Sequence, residues 1–146
     1  MPLTLKIKYL SENAKQPIYS TPGSACFDIH TTNSDTCIQP NSAETFGTGL
    51  SFEIPENHVM LVFSRSGHGF SQGLRLANSV GVIDSDYRGE LKVRLTNDTD
   101  TEQLVSAGSR CAQAMVLPVH QVKFEIVDEL SETLRGEGGM GSTGVK

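Results

Sequence analysis

Gly81-Val82-Ile83-Asp84-Ser85-Asp86-Tyr87-Arg88-Gly89 runs straight into Glu90-Leu91-Lys92-Val93-Arg94-Leu95. Leu91, Val93 and Leu95 alternate with Lys92 and Arg94, which is the period of a half-buried strand. Val82 and Ile83 are apolar and lead into Asp84, so this carboxylate is expected to project from a rigid strand end into a cleft. A simple acidic turn needs neither two carboxylates nor an aromatic so close by. A carboxylate in such a place suits a general base acting on water. Tyr87 suits packing against a sugar ring, and Asn78 stands just upstream. The plain alternative is a tight turn with solvated acids.

The strand period recurs on both sides. Leu3, Leu5, Ile7 and Tyr9 alternate with Thr4, Lys6 and Lys8, and Phe124 and Ile126 alternate with Lys123 and Glu125. His58–Phe63 and Cys111–Val119 are near-continuous apolar runs, the pattern of strands covered on both faces. Turn residues fall between these runs, at Pro22-Gly23, Pro40-Asn41, Pro55-Glu56-Asn57, Asn97-Asp98 and Gly108-Ser109. No stretch longer than about two turns keeps a helical apolar face. Ser66–Ser71 and Asp128–Leu134 are candidates for short helices. The pattern predicts an all-β sandwich, jelly roll or barrel, with no interdomain linker and no internal repeat.

A length of 146 residues suits one domain with a real core. A hydrophobic share of 37% and a charged share of 20% fit a soluble globular protein. The net charge of −5 argues against a general nucleic-acid binder. No apolar run approaches the roughly 20 residues that span a bilayer, so no membrane association is expected. Met1–Lys6 carries no signal-peptide pattern, which points to the cytoplasm, or the host-cell cytoplasm for a viral protein. Cys26, Cys37 and Cys111 show no disulfide or zinc spacing, and Cys111 reads as a small core residue.

Four further segments interrupt the β pattern with polar residues. In Gly23–Ile29, Asp28 sits between apolar neighbours, either in an exposed or Asx-turn position or near a magnesium ion held through water. Ser64-Arg65-Ser66-Gly67 follows an apolar strand and is either a polar loop or a phosphate site. In Gly108–Val116, Gln113 is flanked by apolar residues, and its amide needs a partner in the protein or in a ligand. Arg135–Gly144 holds five glycines in ten positions. It is either a loose tail or a set of bare N–H groups turned to an anion, with Arg135, Ser142 and Thr143 as further donors. A Walker-type phosphate loop is excluded there, because Ser142 stands where the lysine belongs.

Taken in order, these segments resemble the five motifs of the trimeric dUTPase family (deoxyuridine triphosphate nucleotidohydrolases), from Ala25 to Gly144. The resemblance implies an all-β jelly roll, or distorted β-barrel, over residues 1–134. It implies a flexible glycine-rich arm over 135–146, acting as a lid on a neighbouring subunit's active site in a homotrimer. It also implies Mg²⁺-dependent hydrolysis of dUTP to dUMP and pyrophosphate, which limits uracil incorporation into DNA and supplies dUMP for dTMP synthesis. By position, Asp84 resembles the base that activates water against the α-phosphorus, and Tyr87 the residue under deoxyribose. Asn78, Val82, Ile83 and the Asp84 backbone resemble the β-hairpin that reads uracil, with Lys92 adding a backbone contact. Arg65, Ser66, Gly67 and Gln113 resemble phosphate contacts, and Asp28 a group that holds a metal-bound water. Arg135, Gly139, Met140, Gly141, Ser142 and Thr143 resemble the clamp over the substrate.

The chain departs from the family pattern at three positions. Cys26 stands where glycine is usual, Ser64 where proline is usual, and Met140 where an aromatic stacks on uracil. A thioether covers a ring less rigidly, so looser closure is expected. The nearest rival is a dCTP deaminase, which shares the jelly roll but uses a glutamate beyond the third motif. Here Glu90 is the only nearby acid downstream of Asp86. A non-catalytic nucleotide sensor or partner-binding protein would have lost the base or the clamp, and both Asp84 and Arg135 are present.

Overall fold

The computed structural model describes residues 3–139. Among them the strands are β1 (Lys6–Tyr9), β2 (Phe27–His30), β3 (Thr36–Ile38), β4 (Ala43–Gly47), β5 (Leu50–Glu53) and β6 (His58–Phe63), followed by helix α1 (Ser66–Gln72). The chain continues through β7 (Leu74–Leu76), β8 (Val80–Ile83), β9 (Lys92–Asn97), β10 (Gln103–Val105) and β11 (Arg110–Pro118). They form sheets in the orders β2-β11-β6-β8, β4-β9-β7, β1-β5 and β10-β3. Every ladder is antiparallel. The result is an all-β, jelly-roll-like fold whose sheets share one core without closing into a continuous barrel.

The core draws side chains from all four sheets. Ile29, Ile38, Phe46, Leu50, Met60, Leu74 and Leu95 are almost wholly buried together. Burial of each large side chain contributes about 1.5–3 kcal/mol. The common core therefore holds these short ladders together more than the ladders hold themselves. Leu91, Val93 and Leu95 face inward as their alternation predicts, while Lys92 and Arg94 face out. Cys111 lies in the core, and burial pushes its thiol up to about 12.

Several expectations need correction. His58–Phe63 forms β6, yet only Met60 and Val62 are buried, so one face is covered and the other half open. β1 starts at Lys6, and Leu3 and Tyr9 remain exposed while Leu5 and Ile7 pack on the core. Asn97 is the last residue of β9 rather than part of a turn. Its buried amide donates to Ile38 O (2.9 Å) and Thr101 O (2.7 Å) and accepts from Thr99 N (2.9 Å). Ser66–Ser71 is helical within α1, but 128–134 is not. An isolated seven-residue helix is marginal without packing, and Leu130 and Leu134 touch no core. The alternation at 123–126 forms no strand either, because no strand among the described residues lies alongside, and Phe124 and Ile126 stay exposed.

Candidate active site

β8 and β9 diverge. β8 is the outer strand of its sheet, paired only with β6, whereas β9 lies between β4 and β7 in another sheet. The expected hydrogen-bonded hairpin is thus an open fork. The free edge of β8 leaves alternate backbone N–H and C=O groups without ladder partners. A cleft of about 430 Å³ opens along this fork, lined by Asn78, Gly81, Val82, Ile83, Lys92 and Arg94 among others. A second cleft of about 260 Å³ shares Val82, Ile83, Leu91 and Lys92 with the first and adds Asp84, Tyr87 and Glu90. Asp84 follows the end of β8 and is exposed at this mouth.

The Tyr87 ring lies against its own turn. A Cβ on Gly89 would come within 2.4 Å of the Tyr87 hydroxyl, so only glycine allows this packing. The hydroxyl donates to Glu90 O at 3.0 Å. Arg88 Nη1 donates to Ser85 O (2.6 Å) and Tyr87 O (3.1 Å), which ties the loop to itself. One ring face is thereby held by backbone while the side chain stays 47% exposed to the cleft. That is the geometry of a platform.

A second group of predicted residues gathers at the other end of the β2-β11-β6-β8 sheet. Asp28 on β2 is 7% exposed, which rules out a solvated position. Its Oδ1 accepts from Arg65 Nε at 3.0 Å, and its Oδ2 from Arg110 Nη1 at 3.2 Å and Ser20 Oγ at 2.9 Å. Burial alone would raise the Asp28 pKa, but the Ser20 hydroxyl and the two guanidiniums outweigh it and hold the carboxyl below its ordinary value. His68 on α1 is pushed down, first by burial and then by Arg65 and Arg110. Two guanidiniums share one carboxylate, so the cluster keeps a net positive charge. Ser66 and Gly67 are exposed in the first turn of α1 beside it. Gln113 donates through Nε2 to Ser64 O at 3.0 Å, so its amide has a protein partner.

Register separates these two groups. Asp28, Gln113, Phe63 and Val80 stand in one row across the sheet. Asp84 lies one residue beyond Ile83, which faces Met60. Met60 to Phe63 is three strand steps, so Asp84 is on the order of 10 Å or more from the Asp28 row.

The sequence model of the family described as dUTPase matches residues 12–144. The deoxyuridine 5'-triphosphate nucleotidohydrolase of Nautilia profundicola is 44% identical, covering 97% of this chain and 99% of that relative. The chain belongs to the dUTPase family. The enzyme of the same name from Hydrogenobaculum sp. is 39% identical over 99% of this chain and 100% of that relative. A Staphylococcus bacteriophage 80alpha dUTPase solved with dUPNHPP superposes with a TM-score of 0.90. It is 28% identical, over 97% of this chain and 99% of that one.

Within this dUTPase-family chain, Asn78, Val82, Ile83, Asp84, Tyr87 and Lys92 share the fork. Asp28 and Arg65 are joined directly, and Gln113 lies beside them through the Ser64 carbonyl and the strand register. Arg135 is exposed and, among the described residues, bonds within its own turn, Nε donating to Gly138 O at 2.8 Å, with Gly139 just beyond. Met140, Gly141, Ser142 and Thr143 lie outside the described residues. Arg110 received no role from sequence reasoning although it reaches the Asp28 carboxylate. Its one sequence signal was an arginine at the head of an apolar run, facing a strand that carries a buried acid.

Proposed function

We propose that this chain hydrolyses dUTP to dUMP and pyrophosphate. The observation that carries this reading is the open fork, with Asp84 and the Tyr87 platform at the mouth of a cleft edged by free backbone. A flat pyrimidine fits between β8 and β9. Backbone donors and acceptors on β8 tell uracil from cytosine, because the two bases reverse their polarity at N3 and at the position-4 substituent. Each mismatched group left unpaired costs about 1–3 kcal/mol. Tyr87 sits under the sugar and leaves no space for a 2′-hydroxyl. Asp84 takes the proton from a water that attacks the α-phosphorus, and the bond to the bridging oxygen breaks to release pyrophosphate.

Arg65, Ser66, Gly67 and Gln113 contact the phosphates, and Arg135, Gly139, Met140, Gly141, Ser142 and Thr143 close over them. Mg²⁺ riding on the triphosphate supplies charge neutralisation when bound. The Asp28 carboxylate keeps one lone pair on Oδ1 beyond its three contacts. That fits a hydrogen bond from one metal-bound water, and two guanidiniums already facing the carboxylate oppose a cation in direct contact with it. Because Asp84 and the Asp28 row stand well apart on one copy, we assign the base and the phosphate contacts of a complete site to different subunits of a homotrimer. The arm over 135–146 then reaches a neighbour's site.

The cleft that would take the base is lined by no carboxylate and no histidine among the described residues. Among the described residues the acids lining the adjoining cleft are Asp84 and Glu90, and Glu90 Oε1 accepts from Gly49 N at 2.9 Å. Deamination would need a free acid to deliver a proton at position 4 of cytosine, so hydrolysis is favoured. The deciding assay measures pyrophosphate release from dUTP, with UTP, dTTP and dCTP as controls. Turnover with dUTP alone is expected. No turnover with dUTP, or ammonia released from dCTP, rejects the proposal.

A further inference from the structure

Glu90 has a place in the fold that the reaction itself does not use. Its carboxylate enters a notch formed by Gly47-Thr48-Gly49, just before β5. Oε1 accepts from Gly49 N at 2.9 Å, and a Cβ on Gly47 would lie 2.9 Å from the same oxygen. Gly49 has φ +65°, the left-handed conformation that turns its N–H toward the carboxylate. The neighbouring bonds run the same way. Thr48 Oγ1 donates to Leu91 O at 2.7 Å, Ser51 Oγ to Arg88 O at 2.6 Å, and Leu91 N to Leu50 O at 2.8 Å. The strap 48–51 therefore grips residues 88–91 at four points, and among these residues Glu90 meets the strap through its own side chain, with its Oε2 4.0 Å from Lys92 Nζ. The Glu90 carbonyl in turn receives the Tyr87 hydroxyl.

We infer that Glu90 is a positioning residue that sets the Tyr87 platform, so that the Gly47–Gly49 notch governs sugar selectivity from outside the substrate cleft. This rests on the reading of Tyr87 as the surface under deoxyribose. The physical chain is short. The notch holds the Glu90 carboxylate, which fixes the Glu90 backbone, whose carbonyl fixes the tyrosine ring over Gly89. With the carboxylate released, the carbonyl shifts and the half-exposed ring gains freedom to swing. A platform that moves by about 1 Å no longer excludes the 2′-hydroxyl, and rejection of one added hydroxyl is worth up to about 100-fold in kcat/KM.

The experiment compares kcat/KM for dUTP and for UTP in the full-length protein. Glu90→Ala is expected to lower that ratio by about tenfold, part of the roughly 100-fold that steric rejection of a hydroxyl supplies, mainly by raising turnover of UTP. Gly47→Ala keeps Glu90 but pushes its carboxylate out of the notch, and the same drop is expected. Glu90→Gln keeps the acceptor oxygen and is expected to restore most of the selectivity. In a Tyr87→Phe background, which lacks the hydroxyl, Glu90→Ala is expected to add little further loss. A ratio unchanged in both Glu90→Ala and Gly47→Ala overturns the inference, as does an equal loss in Glu90→Gln or full additivity with Tyr87→Phe. The underlying reading fails separately, if wild-type protein does not prefer dUTP or if Tyr87→Ala keeps that preference.

Discussion

Replacing Asp84 with asparagine keeps the shape of the side chain and removes its basicity. Under the proposed chemistry, kcat for dUTP falls about 10³-fold, within the range expected for loss of a general base, while KM stays close to wild type. Steady-state pyrophosphate release separates the two, and comparable losses in both would assign Asp84 to binding instead. Asp28 makes a different prediction. Its carboxyl is held below the ordinary 3.8 by Ser20, Arg110 and Arg65 acting against burial. A group whose pKa falls on folding contributes stability above its unfolded value, and that stability is lost as pH drops through the folded value. Thermal unfolding is therefore expected at progressively lower temperature below about pH 3.8, with a flatter acid limb in Asp28→Asn. An identical acid limb in the variant would mean that other carboxylates dominate. Asp28→Ala leaves Arg65 and Arg110 without their shared carboxylate and should cost about 1.5 kcal/mol in urea denaturation.

At the scale of elements, the strands with clean alternation and covered neighbours were legible. The inward and outward faces from Leu91 through Leu95 follow from alternation alone, because Leu91, Val93 and Leu95 have only one way to reach a core. Asn97 was misread because asparagine signals a turn locally, and only the β3 carbonyl of Ile38 reveals why it is buried. Asn97→Ala is expected to cost about 2 kcal/mol, since it strips partners from buried carbonyls. A urea midpoint equal to wild type would show that water replaces the amide. The stretch 119–134 shows the opposite failure. Its alternation at Phe124 and Ile126 is a genuine strand pattern, yet a strand forms only against another strand, and none among the described residues lies beside it.

At the scale of the whole molecule, the two residue groups proposed as half-sites stand on one sheet with several strand steps between them. Assembly into a trimer is the proposed remedy, and sedimentation at micromolar concentration should give three times the 15.8 kDa chain mass. Deleting 135–146 is expected to leave that mass per chain assembled while removing most activity. Full activity in the truncated protein would dismiss the arm as a lid. Met140→Phe restores a rigid ring at the position proposed to cover uracil, and a severalfold gain in kcat/KM for dUTP is expected. Unchanged kinetics would show that the thioether closes the site as well as an aromatic does.

The order of apolar and polar residues along this chain was enough to decide an all-β fold and the position of Asp84 at a strand end, and five short motifs carried the resemblance to the family. Those properties rest on period, turn chemistry and short motifs, all of which are local. The divergence of β8 from β9, the sharing of Asp28 by Arg65 and Arg110, and the Glu90 carboxylate in the Gly47–Gly49 notch were decided only by tertiary packing. Each joins residues far apart in sequence. A buried charge or a free strand edge is defined by what the rest of the chain brings to it, and no local pattern carries that information.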